Sequence, residues 1–272
     1  MPLKAFKELV QGPEANLDLG LAALAVARIE HPDLVPGDYL RRLDELGARS
    51  GARGIEDHRR ALERLRRFLF DEEGFRGNVD AYYDPRNSCL NDVLDRKLGI
   101  PITLSILVME VARRVGLAVD GIGLPGHFIV AAHVEGDRVL LDPFNGGGAL
   151  TEEGCVEVAS RAVGRKVRLT PTHFTPSTKR QVLIRMLRNL KTVYGKHGEW
   201  EKLLRAIDRL LVLDEESPEH VRDRGTALVK LGHLHHGAGE WERYLQSYPH
   251  AQDAEGLREQ LRGVRQRLAV LN

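Results

Sequence analysis

The feature that most constrains the fold is an apolar helix, beginning near Pro101, that three strand-like runs follow directly. Between Gly99 and Gly116, the segment PITLSILVMEVARRV carries apolar side chains on almost every helical face. Such a helix has no face suited to water, so it must lie in the core. The runs LAVDGIGL, HFIVAAHV and RVLLDPF are typical of strands, and a turn at residues 135–137 joins the last two as a hairpin. This pattern predicts an α+β core with a small antiparallel sheet.

Helical patterns flank this core on both sides. Apolar residues recur at helical spacing through residues 1–70, which predicts an N-terminal helical part before the mixed core at 71–175. After a proline-containing linker, the segment 180–272 is helical again and repeats itself with an offset of 34 residues. That offset is the period of the tetratricopeptide unit. We therefore predict an all-α repeat region with units at about 184–217 and 218–251, followed by a closing helix.

Composition and charge exclude several classes of protein. A hydrophobic content of 42% with 29% charged residues is typical of a globular chain. The net charge of +1 gives no electrostatic reason to expect a nucleic acid or a membrane surface as partner. No apolar stretch reaches the roughly 20 residues of a membrane span, and the first residues lack the pattern of a signal peptide. We expect a cytoplasmic protein without nucleic-acid or membrane partners.

Cofactor and metal motifs are not evident in the sequence. The two cysteines, Cys89 and Cys155, are too few for a disulfide scaffold or a four-thiolate zinc site. His233, His235 and His236 cluster at a predicted turn between repeat helices, where exposed polar residues are common. We therefore predict no cofactor and no metal site.

Two polar residues of the core, His127 and Asp142, are candidates for acid–base chemistry. His127 begins one predicted strand and Asp142 ends the next, so a hairpin brings them side by side although they are 15 residues apart. A carboxylate bonded to one imidazole nitrogen orients the ring and leaves the other nitrogen as a base. The same two residues can equally form a structural contact at the mouth of the hairpin. The local sequence leaves both roles open.

A catalytic triad also requires a nucleophile. The most favourable position is the start of the buried helix, where the helix dipole lowers a thiol pKa, but Pro101 and Ile102 stand there. Cys89 lies near the start of the preceding helix and is the remaining candidate nucleophile. Its alternative role is that of a small buried apolar residue. Acidic neighbours of Cys155 should raise its pKa and make it a poor nucleophile.

Four motifs of the core segment carry a family resemblance. The stretches NSCLNDVL, GIPITL, PGHF and LDPF follow one another in the sequence. In this order they resemble the transglutaminase-like superfamily, and more closely its bacterial invasion-regulator-B branch, in which C-terminal tetratricopeptide repeats follow the core. The resemblance implies a papain/transglutaminase-like core with His127 and Asp142 at the histidine and aspartate positions of a Cys-His-Asp triad. It places the cysteine at about Pro101 or Ile102, so this sequence departs from the catalytic pattern at the nucleophile.

The resemblance also implies residues for a groove beside His127. Four polar residues match the branch motif: Asn87, Ser88, Asn91 and Arg96. The same residues can equally have structural roles. Ser88 can cap a helix, Asn87 can form a turn, and Arg96 can form a surface ion pair. Four aromatic residues are further candidates for lining the groove: Tyr82, Tyr83, Phe128 and Phe144.

Two functional hypotheses follow. The first is a pseudoenzyme with a regulatory role, which binds a protein or peptide partner through the core groove and the repeats. The alternative is a cysteine-type amide hydrolase or acyltransferase that uses Cys89 with His127 and Asp142. The position of the Cys89 sulfur relative to the His127 ring discriminates between them.

Overall fold

The chain divides into two compact units. The computed structural model describes residues 2–215 and 217–271. The first unit runs from Leu9 to Met186, and the second comprises Pro2–Glu8 and the chain from Leu187 onward. The helices are α1 (Leu3–Val10), α2 (Leu19–Ala27), α3 (Pro36–Arg49), α4 (His58–Arg66), α5 (Leu90–Arg96), α6 (Pro101–Arg114), α7 (Glu152–Val163), α8 (Lys179–His197), α9 (Trp200–Leu213), α10 (Pro218–Lys230), α11 (Leu234–Ser247) and α12 (Ala254–Leu271). The strands are β1 (Arg76–Gly77), β2 (Leu98–Gly99), β3 (Val119–Leu124), β4 (His127–Val134), β5 (Asp137–Asp142) and β6 (Gly148–Leu150).

Helix α6 is the central helix of the first unit. Leu104, Ile106 and Leu107 are fully buried, as its apolar sequence predicts. The helix packs against β3 and β4. At its N-terminus, the Thr103 hydroxyl donates to the Asn87 carbonyl oxygen at 2.6 Å and accepts from the Ile100 amide at 3.2 Å. These bonds anchor the start of the helix and fully engage its first hydroxyl.

Strands β3 to β6 form an antiparallel sheet in sequential order. Val130 of β4 pairs with Leu141 of β5, so the first residue of β4 and the last residue of β5 meet at one edge. The turn between them places Glu135 and Gly136 at positive φ, the conformation of tight hairpin turns that match strand twist. Strand β6 begins at the end of a run of glycines and is not among the predicted strands. It pairs Asp142 with Gly148 and so extends the sheet.

The second unit consists of paired helices whose close approach depends on glycine. A Cβ atom at Gly225 of α10 would lie 2.4 Å from the Trp241 ring of α11, and one at Gly237 would lie 2.9 Å from the Gly225 carbonyl oxygen. The buried Trp241 indole donates to the Arg222 carbonyl oxygen at 3.2 Å. These contacts explain why glycine stands at residues 225 and 237 of the second repeat unit. The predicted fold class, an α+β core with a C-terminal helical repeat region, is confirmed.

Within residues 2–215 and 217–271, the helices are too short or too polar to span a membrane.

Candidate functional site

A buried histidine–aspartate pair lies where the hairpin places it. His127 Nε2 is 3.0 Å from Asp142 Oδ1, and the two side chains are 6% and 2% exposed. The predicted juxtaposition of the two residues is therefore confirmed. The Phe144 amide also donates to Asp142 Oδ1, at 3.1 Å, and the Asn145 side-chain amide donates to Oδ2, at 2.7 Å. Because three donors surround this carboxylate, its position is well determined.

The surroundings of Asp142 keep it ionised. Burial raises its pKa, but hydrogen bonds from His127, Asn145 and the Phe144 amide outweigh burial, and the net effect lowers the pKa. An ionised carboxylate accepts the Nε2 proton of a neutral imidazole, which leaves Nδ1 unprotonated. Nδ1 is thus the atom through which His127 can accept a hydrogen bond from a ligand.

The resemblance places the nucleophile of the triad at the start of α6. Pro101 and Ile102 begin α6 and are buried. Thr103 follows them, and its hydroxyl is bonded to backbone groups. Burial, with Asp142 and Glu152 adding to it, raises the pKa of the Cys155 thiol to about 11, which disfavours the reactive thiolate.

Cys89 lies in a group with His31 and Asp92, whereas the sequence predicted a group with His127 and Asp142. Its sulfur and one ligand atom each of His31 and Asp92 lie within 4.8 Å of one another. His31 Nε2 and Asp92 Oδ2 are 2.6 Å apart. Cys89 precedes α5, which packs against α2, and the chain reaches His31 shortly after α2 ends. The structure therefore gives Cys89 a histidine and an aspartate other than His127 and Asp142.

Three aromatic rings form a continuous surface beside His127, which we name the aromatic edge: Tyr82, Tyr83 and Phe144. The ring centroids of Tyr82 and Tyr83 are 5.4 Å apart, and those of Tyr82 and Phe144 are 6.1 Å apart. Phe144 meets the His127 ring edge to face at 5.9 Å. Tyr82 is 37% exposed and Tyr83 is 50% exposed, so the edge is accessible to a partner.

Four of the residues predicted to line a groove are instead buried: Asn87, Ser88, Asn91 and Phe128. Asn87 acts from beneath the surface, since its side-chain amide donates to the carbonyl oxygens of Ala81 at 2.7 Å and Tyr82 at 3.2 Å. Asn87 thereby holds the loop that carries the aromatic edge. The Phe128 ring packs against Gly121, where a Cβ atom would lie 2.7 Å from it.

The remaining polar residues of the motif have structural surroundings. Arg96 is 3.3 Å from the Asp84 carboxylate, which matches the ion-pair alternative. Cys89, and not Ser88, occupies the N-cap position of α5, and no side chain caps this helix. Asn91 Oδ1 is buried and has no hydrogen-bond partner among the described residues.

Arg185 also lies next to the site, although no sequence pattern predicted it there. Its guanidinium donates to the carbonyl oxygens of His127 at 2.5 Å and Leu124 at 2.9 Å, and it lies 5.4 Å above the Phe128 ring. Burial lowers the pKa of Arg185, and Tyr82 opposes this effect. No carboxylate among the described residues forms an ion pair with Arg185. Arg185 stands in a segment that we assigned to the repeats, so no local pattern linked it to His127.

Two family models match the chain. The model of the transglutaminase-like superfamily matches residues 37–188, more than half of the chain. The chain belongs to the transglutaminase-like superfamily. A tetratricopeptide-repeat model matches residues 190–262. The predicted architecture, a transglutaminase-like core followed by tetratricopeptide repeats, is therefore confirmed.

Several curated proteins are similar to this superfamily member. A UPF0162 protein of Xylella fastidiosa is 38% identical over 261 residues, which cover 94% of this chain and 93% of that protein. A UPF0162 protein of Pseudomonas aeruginosa is 33% identical over 207 residues, covering 75% and 74%. F-box only protein 21 of Mus musculus is 30% identical over 152 residues, covering 53% of this chain and 23% of that protein. No solved structure matches the chain. The combination of a transglutaminase-like core with tetratricopeptide repeats supports a protein-interaction or regulatory module.

Proposed function

We propose that this protein is a non-catalytic member of the superfamily that binds a peptide segment of a protein partner beside His127. The proposal rests on a contrast between the histidine and aspartate positions of the triad, which are filled, and the nucleophile position, which is not. The His127–Asp142 pair is present and buried, whereas Pro101 and Ile102 stand where a nucleophile would be needed. A histidine oriented in this way can still accept a hydrogen bond, although proline and isoleucine at that position supply no nucleophile.

The aromatic edge supplies the contact area for such a peptide. Tyrosine side chains give large, rigid contact surfaces at a low cost in conformational entropy, and they are common in protein-binding sites. Tyr83 is half exposed, and Phe144 links the edge to the His127 ring. A peptide laid along the edge would bury apolar side chains against these rings and donate a backbone N–H to His127 Nδ1. The charge of Arg185 next to the site favours a peptide that also carries a carboxylate.

The repeats provide a second contact surface for the same partner. In the second unit, a cavity of about 480 Å³ lies at α10, α11 and α12. Apolar residues such as Val229 and Trp241 line it together with Lys230 and Arg267, and no acidic residue contributes to the lining. Tetratricopeptide repeats generally mediate contacts between proteins. A segment with apolar and acidic side chains would suit this cavity.

Selection of peptides from a phage-displayed random library on the purified protein tests the proposal at His127. Selected peptides should bind His127→Ala and Tyr83→Ala about tenfold more weakly or worse, because each change removes a contact worth about 1–2 kcal/mol. His133→Ala is the matched control, since His133 lies on the same strand but pairs with Asp120 at an exposed position. Peptides that bind both variants as tightly as the unchanged protein would remove His127 and the aromatic edge from the function.

A further inference from the structure

A second constellation of chemically active side chains lies outside the His127 site. Cys89 and Asp92 stand three residues apart at the beginning of α5, and this spacing places them on one face of the helix, one turn apart. His31 comes from the segment after α2. Its amide donates to the Ala27 carbonyl oxygen at 3.0 Å, and its own carbonyl accepts from the Leu34 amide at 3.1 Å. Backbone structure thus holds all three residues in place.

The ligand atoms of these residues converge on one point. A sulfur, an imidazole nitrogen and a carboxylate oxygen lie within 4.8 Å of one another, and His31 Nε2 lies 2.6 Å from Asp92 Oδ2. In a nucleophilic relay, the thiol and the carboxylate occupy opposite nitrogens of the imidazole and are held apart by the ring. Convergence of all three atoms is instead the arrangement of metal ligands. In a tetrahedral zinc site with its usual bond lengths, ligand atoms lie roughly 3.3–3.7 Å apart, so shifts of about 1 Å complete the geometry.

We propose that Cys89, His31 and Asp92 bind a zinc ion, with the fourth position left for water or for a ligand from a partner. Thiolate and imidazole are ligands that zinc prefers, and a carboxylate oxygen is an accepted third. On binding, the Cys89 thiol proton and the proton shared by His31 and Asp92 pass to water, and the three ligand atoms turn to the ion. Cys89 is fully buried and the Asp92 side chain is 11% exposed, whereas the His31 side chain is 36% exposed. The ion can therefore enter on the side of His31. This site is independent of the function proposed for His127.

Titration with zinc and with cobalt tests the proposal on the full chain after removal of bound metal by a chelator. Calorimetry should show one equivalent of Zn²⁺ bound per chain. Co²⁺ should produce a thiolate-to-cobalt charge-transfer band and the intense visible bands of a tetrahedral ion. Cys89→Ser, His31→Ala and Asp92→Asn should each weaken binding by more than about 100-fold, because even residues that only orient a metal ligand contribute 10–100-fold. Cys155→Ser is the matched control, since Cys155 is also buried but lies outside the group, and it should leave affinity and spectrum unchanged.

A second readout separates loss of the site from loss of folding. Zn²⁺ should slow alkylation of Cys89 in the unchanged protein and raise its Tm, while His31→Ala, which alters a partly exposed residue, should keep its fold and lose both effects. Absence of zinc binding by the unchanged protein overturns the proposal. So does a cobalt complex without a thiolate band, or binding that Cys155→Ser weakens as much as Cys89→Ser.

Discussion

His127 and Asp142 should be strongly coupled in folding, and a second His–Asp pair of the same sheet provides the comparison. His127 and Asp142 are 3.0 Å apart with side chains 6% and 2% exposed, whereas His133 and Asp120 are 2.7 Å apart with side chains 43% and 41% exposed. The two pairs therefore differ mainly in burial. Replacing the members of each pair by alanine, singly and together, gives two double-mutant cycles in one protein.

The loss in the free energy of unfolding depends on which groups each substitution leaves without a partner. His127→Ala leaves the Asp142 carboxylate buried without its imidazole, and breaking a buried pair in this way costs about 3–5 kcal/mol. Asp142→Ala removes the acceptor for the Phe144 and Asn145 donors as well, so it should cost at least as much. The double variant leaves no uncompensated charge, and we expect a coupling energy of about 2–3 kcal/mol. For the exposed pair, solvent screening limits the coupling to about 1 kcal/mol or less.

Urea unfolding followed by circular dichroism near neutral pH measures these free energies. The coupling of the buried pair should also depend on acid. Because the pKa of Asp142 is lowered in the folded protein, its contribution is present above the unfolded value of about 3.9 and is lost as the pH falls through the folded value. Additive effects of His127→Ala and Asp142→Ala, or a coupling no larger than that of the exposed pair, would refute this reasoning.

Two predictions concern the second unit. Gly225→Ala should destabilise it by about 1–3 kcal/mol in urea unfolding, because the new methyl group would meet the Trp241 ring, whereas Gly239→Ala, at a helical position with open space, should be neutral or stabilising. Equal effects of the two changes would contradict this packing. His220 is fully buried, neither of its ring nitrogens has a hydrogen-bond partner among the described residues, and burial together with nearby Lys191 lowers its pKa. Its neutral form is thus favoured on folding, so Tm should fall as the pH drops from about 7 to about 5, and His220→Leu should reduce that slope. An unchanged slope in the variant would count against this account.

Local patterns predicted the parts of the site that local geometry determines. The hairpin between β4 and β5 follows from two short strands and a tight turn, so it predicted the pairing of His127 with Asp142. The apolar sequence of α6 likewise predicted its burial. Strand β6 was missed because glycines dominate its surroundings, and its pairing with β5 overrides their preference for a loop.

Contacts between residues far apart in the sequence could not be predicted from a local pattern. Arg185 reaches the His127 carbonyl oxygen across 58 residues, and His31 reaches Asp92 across 61 residues. Neither pairing has a periodicity or a motif that spans such distances. Packing of α5 against α2 decides which histidine meets Cys89, so this group could be found only in three dimensions.

The His127 site, as proposed, binds a peptide without transforming it. Mass spectrometry of a selected peptide and of the protein, after prolonged incubation together, tests this most directly. The peptide should be recovered intact and the protein mass should be unchanged, whereas His127→Ala should weaken the binding without changing either mass. Cleavage of the peptide, or an acyl group added to the protein, that disappears in His127→Ala would contradict the proposal.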